Sequence, residues 1–195
     1  MPFVTHEGVA TWYEVEGSGP PLVLHIGFLG SLEDWRREDT RYTEALRDTY
    51  QLILLDPRGQ GRSDAPHDPE LYSLRARAGD VLAVLNDCGI ERAHYWGYSL
   101  GGIVGFVLAM NAPDRLHSLI VGGASPFSTV GEDPTDQVIY RWLEDGIEGF
   151  VAQWERHIGP LPDPPRTQWL ANDAEALRAA FLAPDWHGPG ETRWI

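Results

Sequence analysis

A single serine lies at the centre of the stretch of this chain that is best suited to chemistry. Ser99 stands between Gly97 and Gly101 in the pattern Gly-x-Ser-x-Gly. The aromatic and apolar residues before it predict a buried strand, and residues 100–110 predict a helix, which places the serine on a strained turn between the two. A hydroxyl held on such a turn can attack a carbonyl carbon, so the pattern indicates a serine nucleophile.

The flanking glycines and the helix fit the same chemistry. Side chains two residues either side of Ser99 would collide with its backbone in so tight a turn, which favours glycine at both positions. The helix that begins after Ser99 points free N–H groups and the positive end of its dipole at any negative charge beside the hydroxyl. Because so short a pattern also arises by chance, its meaning depends on the elements that surround it.

Strands and helices alternate over residues 1–125. Nearly all-apolar runs, such as 22–26 and 51–55, are typical of strands that have helices on both faces of the sheet. The alternation predicts a doubly wound, mostly parallel α/β sheet. The predicted strands are 3–5 and 9–15 (a hairpin), 22–26, 51–55, 94–97 and 116–121, and the predicted helices are 39–47, one between Ser73 and Gly89, and 100–110.

The remaining part, residues 126–195, has a different pattern, which predicts a helical lid. Three amphipathic helical patterns, centred on 138–143, 150–158 and 170–181, follow one another with no strand between them. The tryptophans here either line an apolar substrate pocket or pack the helices together, and the sequence leaves both interpretations open. Five of the eight tryptophans in the chain lie in this part: Trp142, Trp154, Trp169, Trp186 and Trp194.

Composition excludes several classes of function. A formal charge of −14 argues against nucleic acid or an anionic membrane as a partner, because both require clustered Lys and Arg. We expect no signal peptide and no membrane span. The lone cysteine, Cys88, rules out an intrachain disulfide and fits the cytoplasm. With no metal-ligand spacing, dinucleotide fingerprint or phosphate loop, we expect no metal and no cofactor.

Four features in order identify a resemblance. They are His-Ile-Gly-Phe-Leu-Gly-Ser at 25–31 with Trp35, Asp-Pro-Arg-Gly-Gln-Gly-Arg-Ser at 56–63, Gly-Tyr-Ser-Leu-Gly-Gly at 97–102, and a helical segment after the next strand. Together they resemble the α/β-hydrolase superfamily, in its branch of small-molecule esterases, lactonases, carbon–carbon hydrolases and cofactor-free peroxidases. The resemblance is close over residues 1–125. In the lid it extends only to the presence of a helical segment at this place in the chain. It implies an α/β-hydrolase fold that lacks the last strands.

The resemblance also implies a site. Ser99 matches the family's nucleophile, and the backbone N–H groups of Phe28 and Leu100 match its oxyanion hole. Two fixed N–H donors in a dry cleft contribute about 3 kcal/mol each to stabilising the negative oxygen of the transition state. Asp56 and Arg58 match a loop that is mainly structural in the family.

The chain departs from the family at the acid and the base of the triad. In the family the order is Ser, Asp, His, with both partners after the lid, and no residue here matches either. We therefore expect the sequence to be the N-terminal part of a longer hydrolase or one half of a split protein. Weaker candidates are His25, interpreted as a core or supporting group, His94 at the wrong end of its strand, His187 beside Asp185, and Glu132 and Asp133 after the last strand.

The resulting hypothesis is a hydrolase that acts on an ester or related carbonyl bond of a small apolar substrate through an acyl-enzyme. Two alternatives stay open: a non-catalytic ligand-binding or interaction protein of the same fold, and a cofactor-free peroxidase. The strand over 116–121 would leave an exposed apolar edge. A second copy of the chain or a complementing chain is expected to cover that edge.

Overall fold

A computed structural model of the protein describes residues 3–125 and 134–183, with the side chains of residues 134–136 excepted. Six strands form one sheet in the order β1-β2-β4-β3-β5-β6. β2 runs antiparallel to β1 and β4, and the other neighbours are parallel. This confirms the α/β fold class. The strands are β1 (Phe3–His6), β2 (Val9–Gly17), β3 (Pro21–His25), β4 (Gln51–Leu55), β5 (Ala93–Tyr98) and β6 (Leu116–Gly122).

Alternate residues of the central strands build a core on each face of the sheet. Val23, Ile53 and Tyr95 pack against helices α2 (Leu74–Asp87) and α3 (Leu100–Asn111). On the opposite face, Leu22, Leu24, Leu52 and Leu54 pack with Leu32 and Trp35, and Leu46 of α1 (Tyr42–Leu46) lies against them. Because both faces of these strands are buried, their sequences are continuous apolar runs and do not alternate between apolar and polar residues.

The helix expected over 39–47 is shorter than predicted. Only Tyr42–Leu46 is helical, and a 3₁₀ turn over Leu32–Arg36 precedes it. The Ser31 side chain accepts a hydrogen bond from the Glu33 N–H, while Asp34 accepts one from the Ser31 N–H. This reciprocal capping satisfies the first free N–H groups of the turn, which the hydrophobic pattern alone does not reveal.

The described part of the lid contains four helices: α4 (Pro134–Trp142), α5 (Gly146–His157), α6 (Pro165–Leu170) and α7 (Ala174–Phe181). The pattern over 170–181 was predicted as one helix, and that prediction is wrong. The chain breaks between α6 and α7, where Asp173 caps α7 by accepting hydrogen bonds from the N–H groups of Glu175 and Ala176. The boundary predicted at residue 125 adjoins residues outside the described part and stays a prediction.

A compact apolar cluster holds the lid together, and we call it the lid core. Trp142, Trp154 and Trp169 pack against this cluster, which favours the packing interpretation for these three rings. Trp186 and Trp194 lie outside the described residues. The lid core consists of Leu29, Leu143, Ile147, Phe150, Val151 and Leu177.

Strand β6 lies at the edge of the sheet as described, paired with β5 alone. Half of the Ile120 surface is exposed, and His117 and Ser118 are exposed as well. No helix among residues 3–125 and 134–183 is both long and apolar enough to cross a membrane.

Candidate active site

Ser99 occupies a sharp turn between the end of β5 and the start of α3. Its backbone has φ of 52° and ψ of −120°, a conformation that costs a residue other than glycine about 1–3 kcal/mol. The Ser99 N–H donates to the Gly122 carbonyl of β6 at 2.7 Å, and its own carbonyl accepts from Gly102 and Ile103. The side chain makes no capping bond to α3 and is half-buried. The hydroxyl is therefore held by the backbone and is not used to cap the helix.

The glycines around Ser99 are required by close backbone contacts. A Cβ atom on Gly97 would lie 2.1 Å from the carbonyl oxygen of Gly101. A Cβ atom on Gly101 would lie 2.2 Å from the carbonyl oxygen of His25. No side chain fits at such distances, so the glycines let the first turn of α3 pack directly against the ends of β3 and β5.

The loop after β3, residues 26–31, lies beside Ser99, and we call it the β3 loop. β3 and β5 are parallel neighbours with His25 opposite Gly97, so their carboxyl ends meet at one edge of the sheet. A Cβ atom on Gly27 would lie 2.8 Å from Cβ and 3.3 Å from Oγ of Ser99. Phe28 follows Gly27 directly, and Leu100 follows Ser99. The structure thus brings together the three positions expected to form the site, whose roles stay a prediction.

A buried hydrogen-bond chain supports the turn from below. The Tyr95 hydroxyl donates to the Gly101 carbonyl at 2.7 Å and lies 2.6 Å from Nδ1 of His25. Because the hydroxyl proton goes to Gly101, the Nδ1–H of His25 donates to the hydroxyl oxygen. Burial lowers the pKa of His25 to about 3, so the ring is neutral. His25 is a supporting group beneath the turn, as expected.

The loop after β4, residues 56–64, holds the β3 loop in place, and we call it the β4 loop. The carboxylate of Asp56 accepts from the N–H groups of Leu32 (2.7 Å) and Arg62 (2.9 Å). Burial raises the pKa of Asp56, although these two N–H groups act to lower it. Gln60, which is buried, accepts from the Leu29 N–H and donates to the Gly27 carbonyl at 3.3 Å. The sequence pattern does not single out Gln60, whose only signal is its position between two glycines.

Arg58 of the β4 loop forms a buried ion pair. Its guanidinium donates to Asp80 of α2 through Nε at 2.6 Å and through Nη2 at 2.5 Å. His6 of β1 contacts the same carboxylate through Nδ1 at 3.2 Å. Asp56 and Arg58 thus connect the loop to its neighbours in the fold, which agrees with the structural role implied by the family.

The lid contacts the β3 loop directly. Asn172, between α6 and α7, donates from Nδ2 to the Leu29 carbonyl at 3.1 Å. The ring of Phe28 packs edge-on against Phe181 of α7, with centroids 4.8 Å apart. Leu29 belongs to the lid core. The sequence pattern does not single out Asn172 either, because no local signal connects it with a residue 143 positions away.

A cavity of about 190 Å³ lies between the lid and the β4 loop. Leu29, Asp56, Arg62, Gln168 and Asn172 are among its lining residues, and Ser99 is not. This cavity is therefore not where a substrate would meet the hydroxyl.

Among the described residues, no side chain forms a hydrogen bond with the Ser99 hydroxyl, and none supplies a general base. His94 lies at the start of β5 and bonds Oγ of Ser118 at 2.8 Å, away from the turn. Glu132, Asp133, Asp185 and His187 fall outside the described residues. No cluster of three or more His, Cys, Asp or Glu side chains within residues 3–125 and 134–183 could hold a metal ion.

Comparison with known proteins places these features in a family. The family model for the alpha/beta hydrolase fold matches residues 20–180. The "Putative carbamate hydrolase RutD" of Azorhizobium caulinodans is 37% identical over 194 residues, covering 97% of this chain and 68% of that protein. The fluoroacetate dehalogenase of a Burkholderia species is 37% identical over 154 residues, covering 76% of this chain and 49% of that protein.

A solved structure shows the same architecture. A hydrolase from Pseudomonas aeruginosa PA01 superposes with a TM-score of 0.76 at 27% identity, over 93% of this chain and 71% of that one. The chain thus spans 68% of the length of the first of these two curated relatives and 49% of the length of the second. The family match extends from β3 through the turn at Ser99 into α7. This match, together with the sheet order and the strained turn at Ser99, shows that the chain belongs to the α/β-hydrolase family.

Proposed function

We propose that this protein is a hydrolase in which Ser99 attacks the carbonyl carbon of a small apolar ester or a related substrate. The observation that carries this proposal is the position of the Ser99 hydroxyl. It is held by a left-handed backbone directly over Gly27 and is not bonded to the helix that follows. Phe28 and Leu100 are proposed to donate their backbone N–H groups to the oxygen that becomes negative during the attack.

The proposed reaction has two steps. The Ser99 oxygen forms a bond to the carbonyl carbon while its proton passes to a general base, and the leaving group departs with that proton. Water then attacks the acyl-enzyme, which releases the acid and restores the hydroxyl. This chemistry requires a base outside the described residues, as the family order of Ser, Asp and His implies. It uses no metal and no cofactor.

A serine at this position favours carbonyl substrates over alkyl halides. Attack of Ser99 on the saturated carbon of fluoroacetate would expel fluoride and leave an ether. Water cannot cleave that bond to the enzyme by adding to a carbonyl carbon. Attack on an ester, lactone or carbamate leaves an acyl-enzyme, which water can hydrolyse. Of the two relatives named above, the carbamate hydrolase therefore fits Ser99 better than the dehalogenase.

The proposed preference for apolar substrates follows from the residues beside the turn. Tyr98, immediately before Ser99, is 52% exposed. The neighbouring Phe28 packs against Phe181 of the lid. These two aromatic side chains are proposed to contact an apolar acyl or alkoxy group and bury its surface, which is favourable.

Covalent labelling tests the nucleophile. A fluorophosphonate probe is expected to modify the protein once, on the peptide that contains Ser99, as measured by intact mass and peptide mapping. Ser99→Ala should abolish the label. Ser118→Ala, at an exposed serine that bonds His94, is the matched control and should leave labelling unchanged. Labelling that persists in Ser99→Ala would show that the nucleophile is assigned wrongly.

A substrate panel tests the reaction class. We expect p-nitrophenol release from short p-nitrophenyl esters or from an aryl carbamate, and no fluoride release from fluoroacetate. One observation favours the alternative of a non-catalytic ligand-binding protein: among the described residues, the Ser99 hydroxyl has no hydrogen-bond partner. Binding of an apolar ligand without labelling of Ser99 would support that alternative. Halide oxidation with acetate and peroxide, absent in Ser99→Ala, would instead identify a peroxidase.

A further inference from the structure

The β3 loop is held by side-chain amides on both sides of Phe28. Gln60 donates from Nε2 to the Gly27 carbonyl at 3.3 Å and accepts the Leu29 N–H at Oε1. Asn172 of the lid donates to the Leu29 carbonyl at 3.1 Å. One glutamine side chain therefore bonds both peptide groups that flank Phe28, and the lid bonds the next peptide group along the chain.

Peptide geometry connects these bonds to the direction of the Phe28 N–H. The Gly27 carbonyl and the Phe28 N–H belong to one planar trans peptide, so they point in opposite directions. Gln60 and the Gly30 N–H, also at 3.3 Å, both bond the Gly27 carbonyl. Holding that oxygen directs the Phe28 N–H to the side away from Gln60.

The backbone of the loop needs such support. Leu29 has φ of 69°, in the left-handed region that residues other than glycine seldom adopt. Its N–H and its carbonyl bond Gln60 and Asn172, which are 3% and 9% exposed. Water competes little for hydrogen bonds at such buried positions, so these bonds hold the strained residue firmly.

We propose that Gln60 is a positioning residue that aims the Phe28 N–H at the oxygen on which negative charge develops when Ser99 attacks. This role rests on the proposed function. An amide is suited to it, because one planar group supplies both the acceptor for Leu29 and the donor for Gly27. A carboxylate at position 60 would keep the acceptor and lose the donor, and a methionine would lose both. Asn172 adds a bond from the lid to the same loop.

Amide hydrogen exchange tests the support directly. In Gln60→Met, exchange at the Leu29 N–H is expected to be at least tenfold faster than in the unmodified protein. In Gln60→Glu it should stay slow, because the carboxylate still accepts. Gln168→Met is the matched control, since the side-chain oxygen of Gln168 has no hydrogen-bond partner. This variant should leave the exchange rate of the Leu29 N–H unchanged. Unchanged exchange in a folded Gln60→Met would overturn the proposal.

Fluorophosphonate labelling tests the consequence for chemistry. We expect both Gln60→Met and Gln60→Glu to react at Ser99 at least tenfold more slowly than the unmodified protein and Gln168→Met. The ³¹P chemical shift of the adduct should also move, because it reports hydrogen bonding to the phosphonyl oxygen, which a general loss of stability does not change. If thermal unfolding shows that Gln60→Met is not folded, the test rests on Gln60→Glu. Slow exchange at the Leu29 N–H together with slow labelling of Ser99 in that variant supports the positioning role of Gln60.

The two possible failures are distinguishable. If the unmodified protein is not labelled at Ser99, the proposed function fails, and this role of Gln60 fails with it. If the unmodified protein is labelled and both Gln60 variants keep its rate and its ³¹P shift, the role of Gln60 alone is overturned.

Discussion

The turn at Ser99 and the lid are held in place by different kinds of contact. At the turn, backbone meets backbone: Gly97 and Gly101 leave no space for a Cβ atom, and the Ser99 N–H bonds the neighbouring strand. In the lid, side chains interlock around Phe150 and Leu177, both fully buried. Backbone contacts tolerate almost no substitution, whereas apolar packing tolerates changes that preserve volume. The position of Ser99 is therefore more strictly determined than the shape of the lid.

The largest loss of stability is expected when a buried side chain is removed from the lid core. Phe150→Ala removes a fully buried ring and should lower the free energy of unfolding by about 3–5 kcal/mol. If the lid and the turn are held by separate contacts, hydrogen exchange in Phe150→Ala accelerates in α5 and α7 while β3 and β5 stay protected. Val138→Ala, at a position that is 41% exposed, is the control and should have little effect. Equal loss of protection in lid and sheet would show that the two regions unfold together.

A methyl group at the turn should have a smaller effect on stability and a larger one on chemistry. Gly101→Ala places a Cβ atom 2.2 Å from the His25 carbonyl, and such overpacking costs about 1–3 kcal/mol. Labelling of Ser99 should be lost in protein that is still folded, because α3 must move. The control is Gly89→Ala, where a Cβ atom meets nothing within 4 Å but the left-handed backbone (φ of 68°) costs about 1–2 kcal/mol. This variant should therefore lose a similar amount of stability and keep the labelling of Ser99. Normal labelling of Gly101→Ala would contradict the strict positioning of the turn.

Strand β6 should associate weakly with another chain, either a second copy or a complementing one. Light scattering of the purified protein is expected to show dimers or larger species, because an exposed apolar strand edge pairs readily. Ile120→Glu should raise the dissociation constant at least tenfold, whereas Ile158→Glu, at an exposed lid residue, should not. A monodisperse monomer of the unmodified chain would show that the edge prediction is wrong.

The smallest change in stability is expected when His67 is replaced. His67 belongs to an exposed cluster that connects the lid to the region after the β4 loop. His67 bonds Asp173 at 3.0 Å and lies 3.1 Å from Glu175. The hydrogen bond to Asp173 raises the pKa of His67 above its ordinary value. A raised pKa in the folded state means that this stabilisation is fully present below about pH 6.5, the ordinary pKa of histidine, and is lost as pH rises through the raised value.

Urea unfolding followed by tryptophan fluorescence at pH 5.5 and pH 8.5 measures that dependence. His67→Gln should show a smaller loss of stability between the two pH values than the unmodified protein. His117→Gln, on β6, should behave as the unmodified protein does. An unchanged pH dependence in His67→Gln would show that the cluster does not stabilise the attachment of the lid.

Most of the sheet and the turn at Ser99 could be predicted because their determinants are local. Apolar runs and the glycines at 97 and 101 report burial and close backbone approach at their own positions. The break between α6 and α7 could not be predicted, since the apolar spacing continues across it while Asp173 caps a new helix. Capping depends on backbone angles that a hydrophobic pattern does not encode.

The sequence by itself determined the family, the sheet and a serine on a strained turn, because steric exclusion and burial act through residues close together in the chain. Only the tertiary structure decided what holds the β3 loop beside that serine. Gln60 and Asn172 come from a loop and a lid that are far apart in the sequence, and they meet at Leu29. They meet there because the strand order places β3 between β4 and β5 while the lid packs on the β3 loop.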